Sequence, residues 1–239
     1  MAKGNRNRQQ ARAKLAQMRA LEARRRTRRR WLAGAGAVVV VAAVAVAITL
    51  GVTSGSGNAA PSPGPVGSEG VPVPNAAPLA STATSAAGQP VDGITCQTNE
   101  QTLFHIHAHL AIVVDGAARQ VPAAIGIPGA QTQNTPNGPF IASGRCFYWL
   151  HTHAPDGIIH IESPVHRIYT LGDFFDEWRQ PLSRTQVAGA KGQVTAFVNG
   201  KPWTKDPRAI PLVPHAAIQL DVGSPAVAAQ AVSWAGANL

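Results

Sequence analysis

The chain has 239 residues, of which 45% are hydrophobic and 14% charged, and its formal net charge is +9. Residues 1–30 hold 12 of the 21 Lys and Arg residues and one of the 12 acidic residues, so they carry +11 and the rest of the chain carries −2. The part that is large enough to fold therefore has no basic face for nucleic acid, and two cysteines are too few for a disulfide-rich fold.

Residues 31–52 form an apolar segment, WLAGAGAVVVVAAVAVAITLGV, that contains no charged residue. At about 1.5 Å per residue, a helix of this length crosses the hydrocarbon core of a bilayer. Three arginines, Arg28 to Arg30, precede it, so the positive-inside rule predicts that residues 1–30 are a basic cytoplasmic tail. A cleaved signal peptide is the alternative. The long charged region and long apolar run favour an uncleaved, single-pass anchor in the plasma membrane, with the lipid bilayer as its partner.

Everything after residue 52 is then expected outside the cytoplasm. Residues 53–91 are rich in Pro, Ala, Gly and Ser with Glu69 as their single charge, a composition that predicts an extended linker. Residues 92–223 show short apolar runs separated by turn signals, which predict one extracytoplasmic domain. Residues 224–239 are an Ala-rich tail, for which a short docked helix and a frayed end both remain open.

The first predicted strand covers residues 103–114. Its apolar side chains alternate with His105, His107 and His109, so one face is core and the other is imidazole. Thr170 and Asp173 resemble a capping box and predict a helix over 171–179. Further strands are predicted at 121–127, 146–153, 158–163, 193–198 and 216–222. The predicted fold class is α+β and β-rich, a mixed or antiparallel sheet with one or two helices; a β-sandwich or barrel is the alternative.

All eight histidines lie in the predicted domain, and most are spaced two residues apart. On a strand such pairs stand about 6.6 Å apart on one face, so two imidazoles can converge on one metal ion. The candidate ligands are His105, His107, His109, His151, His153, His160 and Glu162.

The first three of these histidines span too much strand to share one ion. Either two of them bind while the third supports the site, or the cluster holds two ions. The preferred arrangement is a neighbouring pair, His105 with His107 or His107 with His109, facing His151 and His153. His160 and Glu162 then complete or flank the site.

Imidazole-rich ligation suits Cu(II), Zn, Ni or Fe(II), and both methionines lie in the predicted cytoplasmic tail, so a Met-lined Cu(I) site is disfavoured. Copper and zinc are the leading cofactors.

Cys96 and Cys146 are expected to form a disulfide, since they lie outside the membrane; a thiolate ligand role for Cys146 is the alternative. His166 and His215 are expected to be ordinary core or surface residues.

Three stretches, FHIHAHL (104–110), CFYWLHTHAPDGIIHIESP (146–164) and YTLGDFFDEW (169–178), resemble a family of membrane-anchored bacterial proteins of unassigned function. The resemblance covers most of residues 92–223. It implies a folded His-rich extracytoplasmic domain and carries no activity with it.

Three functions fit these observations. The first is metal capture or buffering on a membrane tether, with an integral-membrane metal transporter or oxidase as partner. The second is a metalloenzyme in which Glu162, Asp156 or Asp173 is the general base to a metal-bound water. The third is a pH-responsive envelope module without metal, since imidazole titrates near pH 6.5.

Overall fold

The computed structural model describes residues 59–237 and residue 239. The predicted cytoplasmic tail, the predicted transmembrane helix and residues 53–58 of the predicted linker lie outside this range. Across 59–237 and 239, no helix is both long enough and apolar enough to cross a membrane.

The described part of the chain is β-rich, with short strands, one α-helix and one turn of 3-10 helix. The elements in chain order are β1 (Phe104–Val114), β2 (Ala117–Arg119), β3 (Gln131–Thr135), β4 (Gly138–Ser143), β5 (Leu150–His151), β6 (Ile158–Ser163), β7 (Tyr169–Thr170), α1 (Leu171–Trp178), β8 (Leu182–Ser183), β9 (Gln186–Val187), β10 (Ala190–Lys191), β11 (Val194–Val198), β12 (Lys201–Trp203), the 3-10 helix (Pro207–Ala209), β13 (Pro211–Leu212) and β14 (Ala217–Val222).

The main sheet has the strand order β12-β11-β14-β1-β6-β5, with β2 paired to the end of β1. Strand β1 runs parallel to β14 and antiparallel to β6 and β2, so the sheet is mixed. This confirms the α+β, β-rich prediction with a mixed sheet and one helix.

The core lies on the face of β1 that carries the apolar residues. Ala108, Leu110 and Ile112 are buried there in one cluster with Phe174 and Trp178 of α1. The predicted capping box is present, since the Thr170 side chain accepts from the backbone N–H of Asp173 and the Asp173 carboxylate accepts from that of Thr170. The core face of β1 therefore leaves its other face free for the histidines.

One predicted strand is absent and another is shorter than predicted. Residues 121–127 form no strand, and 123–126 are a turn, because Ala124 and Gly126 adopt positive φ angles of 69° and 71°, which a strand does not allow. A Cβ atom at Gly126 would lie 2.2 Å from the carbonyl oxygen of Leu150, so this turn packs directly on β5. The strand predicted at 146–153 is shortened to Leu150–His151, after which the chain turns and the carbonyl of His153 accepts from the N–H of Ile141.

The expectation of an extended linker is wrong for residues 59–91, which pack on the domain. Val71 is fully buried, and the backbone N–H of Leu79 donates to the carbonyl of Gln120. The indole of Trp178 donates to the carbonyl of Ser81 at 3.1 Å. The segment is held through backbone groups that reach the domain, and such contacts leave no periodicity in a Pro-rich sequence.

Within the C-terminal segment, residues 224–237 and 239 contain no helix, yet they are docked. The Asp221 side chain accepts from the N–H of Val227 and the Gln219 side chain from the N–H of Gln230, both at 2.8 Å. Trp234 stacks on His215, with ring centroids 4.6 Å apart. Polar side chains on β14 thus order this segment in place of helical hydrogen bonds.

Candidate metal centre

Strand register places histidines from three adjacent strands in one row. In the pairing of β1 with β6, His107 lies opposite His160 and His105 opposite Glu162. In the pairing of β5 with β6, His151 lies opposite His160. Directly opposed residues of antiparallel strands have Cβ atoms only about 4.5–5.5 Å apart. Strand β6 is therefore the centre of the cluster, with β1 and β5 on its two sides.

Four donor atoms from β1 and β6 form a closed ring, which we call the four-donor ring. His105 Nε2 lies 3.1 Å from His107 Nε2, and His107 Nε2 lies 3.1 Å from His160 Nδ1. Glu162 Oε1 closes the ring, at 3.3 Å from His160 Nδ1 and 3.1 Å from His105 Nε2. All four lie within 4.8 Å of one another.

These spacings match those of donors around one metal ion. Nitrogen and oxygen ligands at 2.0–2.1 Å from a metal stand about 2.9 Å apart in a square and about 3.4 Å apart in a tetrahedron. The ring edges of 3.1–3.3 Å fall inside that interval. His107, His160 and Glu162 are buried, while the side chain of His105 is 42% exposed and forms the solvent edge of the ring.

A second group of donors lies on the other side of β6, and we call it the three-donor group. His151 Nε2 and His153 Nε2 are 3.1 Å apart, and Glu100 Oε1 lies 3.3 Å from His153 Nε2 and 3.9 Å from His151 Nε2. Both histidines are buried, whereas the side chain of Glu100 is 38% exposed. This group therefore has one side toward solvent.

Outer hydrogen bonds set which nitrogen of three of these histidines faces inward. His151 Nδ1 donates to the carbonyl of Tyr148 at 2.9 Å, and His153 Nδ1 donates to the carbonyl of Ile141 at 2.6 Å. Because a carbonyl oxygen only accepts, each Nδ1 carries a hydrogen, and Nε2 is then the nitrogen that each ring directs inward. His160 is held in the same way by Glu69, whose Oε1 accepts from Nε2 at 2.6 Å.

The facing nitrogens of His151 and His153 consequently need a cation between them. Both rings have used their N–H group outside the cluster, so two lone pairs meet at 3.1 Å with a carboxylate beside them. Burial holds the pKa of His151 well below 6.5, and the neighbouring His160 adds to this effect. A proton or a metal ion is the group that can neutralise this arrangement, and an imidazole pair with a carboxylate is a typical ligand set for a metal ion.

Two histidines of the four-donor ring, His160 and His107, have pKa values shifted in opposite directions. Burial alone would lower the pKa of His160, but hydrogen bonds to Glu162 and Glu69 outweigh it and raise this pKa to about 9. Burial and the charge of His160 lower the pKa of His107 to about 3. In metal-free protein His160 therefore carries a positive charge below about pH 9, while His107 stays neutral above about pH 3.

We expect metal-free protein to be most stable near pH 6. At His107, His109 and His151, whose pKa values are lowered, the unfolded chain binds more protons than the folded one below pH 6.5, which makes stability fall as the pH drops. The pKa values of Asp156 and His160 are raised to about 8 and about 9, and burial raises the pKa of Glu177 well above its usual value. These three groups make stability fall as the pH rises, and they outweigh the histidines above about pH 6. Urea unfolding of metal-stripped protein across pH 4–9 measures this curve; stability that kept rising to pH 9 would contradict it.

The structure places the remaining predicted ligand apart from both groups. His109 Nε2 lies 2.9 Å from the backbone carbonyl of Asp156 and joins neither the four-donor ring nor the three-donor group. The preferred arrangement, in which a β1 pair directly faces His151 and His153, is also not the one observed. Strand β6 lies between the pairs, because both β1 and β5 use it as their partner.

His166 and His215 lie outside the cluster, as expected. His166 packs on Phe104 with ring centroids 4.3 Å apart, and His215 stacks on Trp234. Asp173, a candidate general base, is occupied in the capping box of α1. The other two candidate general bases are also engaged. Asp156 interacts with the Glu69 carboxylate, and Glu162 is part of the four-donor ring.

Sequence reasoning missed two carboxylates of the site, Glu69 and Glu100. Glu69 is 4% exposed and comes from the segment that composition assigned to a linker. Its one distinguishing signal is that it is the single charge among the prolines. Glu100 follows Cys96 by four residues and carries no motif of its own.

The predicted disulfide is confirmed. Cys96 and Cys146 are bonded, with Cα atoms 5.4 Å apart, so Cys146 is not free to act as a thiolate ligand. Directly beside the disulfide, Gln97 and Phe147 exchange backbone hydrogen bonds. The covalent link therefore holds the segment that carries Glu100 against the one that leads into His151.

Glu69 is expected to tune metal affinity without contacting the ion. Its carboxylate orients His160 and raises the basicity of that ring, and removal of such outer partners typically costs 10–100-fold in metal affinity. We therefore expect Glu69→Ala to weaken binding by about 10–100-fold, with Glu69→Gln recovering part of the loss because its amide oxygen still accepts. Glu177→Gln, at a buried glutamate of α1, is the matched control. Chelator-competition titration measures the affinities; equal values for Glu69→Ala and the control would contradict this role.

Comparison with known proteins assigns no family to the chain, since it matches no protein-family model, no curated protein and no solved structure. The site geometry is therefore the basis of the functional argument.

Proposed function

We propose that this protein is a membrane-anchored, extracytoplasmic metal-binding protein that captures or buffers a transition metal ion, copper or zinc, through its clustered histidines. The four-donor ring of His105, His107, His160 and Glu162 carries the proposal. Buried His and Glu side chains are close enough there to hold a metal ion, and their spacing matches that of metal ligands.

The location proposed for the domain depends on two features. The apolar segment 31–52, with arginines before it, supports a single-pass anchor whose N-terminus is cytoplasmic. The disulfide between Cys96 and Cys146 supports an oxidising compartment on the other side of the membrane. An integral-membrane metal transporter or oxidase is the partner that such a tethered carrier would serve.

A metal-dependent enzyme is the second candidate, and one observation favours it. The three-donor group has His151 and His153 buried but Glu100 partly exposed, which leaves a side for water or substrate. Catalytic zinc sites commonly have three protein ligands and one open position. Water-proton relaxation of Cu(II)-loaded protein tests this candidate, because a catalytic site of this kind needs an exchangeable inner water, and its absence would exclude the enzyme.

The direct test is metal content and affinity of the full-length chain in detergent micelles. Purified protein is analysed by elemental mass spectrometry, stripped with chelator, and titrated with Cu(II) and Zn(II) in competition with chelators of known affinity. We expect at least one ion per chain, bound with a Kd well below 1 μM. Failure of both metals to bind would overturn the proposal and leave the cluster as a pH-titrating ladder.

A further inference from the structure

The cluster has more inward-facing donor atoms than one metal ion can bind. A tetrahedral ion in the four-donor ring is saturated by His105, His107, His160 and Glu162. His151 Nε2, His153 Nε2 and Glu100 Oε1 then remain beside it as three further acceptors, 3.1–3.9 Å apart. Because His151 and His153 have spent their N–H groups on backbone carbonyls, an ion in the ring alone leaves their lone pairs facing each other.

The two donor sets meet at β6, where side chains are near both. A ligand atom of His160 lies within 4.8 Å of those of His151 and His153, and a ligand atom of Glu162 lies within 4.8 Å of those of His151 and Glu100. Glu162 Oε1 faces His105 and His160 in the ring, so its second oxygen is the one free to turn toward the three-donor group. Two-metal sites in proteins hold their ions about 3.5–4 Å apart, and a carboxylate with two oxygens can span such a distance.

We propose that the cluster is a two-metal centre, with one ion in the four-donor ring, a second on His151, His153 and Glu100, and Glu162 as the bridge between them. This inference rests on the proposed function. It adds the stoichiometry, and it assigns His151 and His153 to an ion different from the one bound by His105 and His107.

Each position has one partly exposed ligand, His105 or Glu100, but the two positions differ in the number of protein donors, which predicts different behaviour of the two ions. The ring has four protein donors, and three of them are buried. The second position has three protein donors, and Glu100 is partly exposed beside it. The second ion is therefore the exchangeable one, the ion that a partner or chelator removes first.

The test is Zn(II) stoichiometry, measured on metal-stripped full-length chain by native mass spectrometry and chelator competition. We expect two ions for the wild type and one ion for each of the double variants His105→Ala with His107→Ala and His151→Ala with His153→Ala. One ion in the wild type would overturn the two-metal centre while leaving the proposed function intact. No ion in the wild type would overturn both.

Two further measurements keep the test independent of folding losses. Glu100→Gln alters a partly exposed side chain, so we expect an unchanged fold, an unchanged tight ion and at least about tenfold weaker binding of the second ion. Equal weakening of both ions would contradict the assignment. In protein loaded with two Cu(II) ions, we expect magnetic coupling in electron paramagnetic resonance spectra, and two uncoupled signals would overturn the bridge through Glu162.

Discussion

Replacing His107 and His153 together by alanine will abolish tight metal binding. His107 is a corner of the four-donor ring and His153 belongs to the three-donor group, so the pair removes one ligand from each side of β6. Outer partners of metal ligands are worth 10–100-fold in affinity, and direct ligands are worth more, so we expect a loss of at least about 100-fold for each ion. Chelator-competition titration with Zn(II) and Cu(II) measures the loss.

The matched control is His166→Ala, at a histidine of the same domain that packs on Phe104 outside the cluster. This control should bind as tightly as the wild type. Thermal unfolding of all metal-stripped proteins separates a lost site from a lost fold, and we expect the His107 and His153 variant to unfold cooperatively. Wild-type affinity in this folded variant would rule out the site.

Replacing Cys96 and Cys146 together by serine will strongly lower the free energy of unfolding. The disulfide joins residues 50 apart in the chain, and the chain-entropy model assigns a loop of that length about 4 kcal/mol. Guanidinium unfolding should be measured on metal-stripped protein, because a bound ion adds its own stabilisation. We expect the unfolding free energy to fall by about 2–4 kcal/mol, and a change below about 1 kcal/mol would show that the disulfide is not a major constraint.

The same variant also tests the proposed second metal position. Glu100 lies four residues after Cys96, and the disulfide holds this segment against the one that leads into His151. Loss of the link should therefore weaken the ion on His151, His153 and Glu100 more than the ion in the four-donor ring. Equal effects on both ions would show that Glu100 is positioned by other contacts.

Several secondary-structure elements could be predicted because short-range sequence patterns determine them. Alternation along 104–114 showed the core face and the imidazole face of β1, because side chains of a strand point alternately to opposite faces. Thr170 and Asp173 marked the start of α1, since a capping box satisfies backbone donors within three residues. The strand 158–163 was predicted with the bounds that β6 shows.

Features that depend on backbone conformation were not predictable in this way. Residues 121–127 have the apolar content of a strand, but positive φ angles at Ala124 and Gly126 turn the chain there. Residues 59–91 have the composition of a linker, but Val71 and Glu69 are buried against the domain. Both errors have the same origin, because tertiary contacts determined the local structure and composition did not.

The sequence alone therefore determined the types of the candidate ligands and their local spacing. Three pairs of candidate ligands are spaced i and i+2, and in an extended chain this spacing places both members of a pair on the same face of the strand. The pairs are His105 with His107, His151 with His153, and His160 with Glu162. Tertiary structure decided how the pairs combine, because cross-strand register set His160 opposite both His107 and His151 and left His109 beside Asp156. It also supplied Glu69 and Glu100 from distant segments. Register and long-range packing depend on which strands pair, and that is a property of the whole chain.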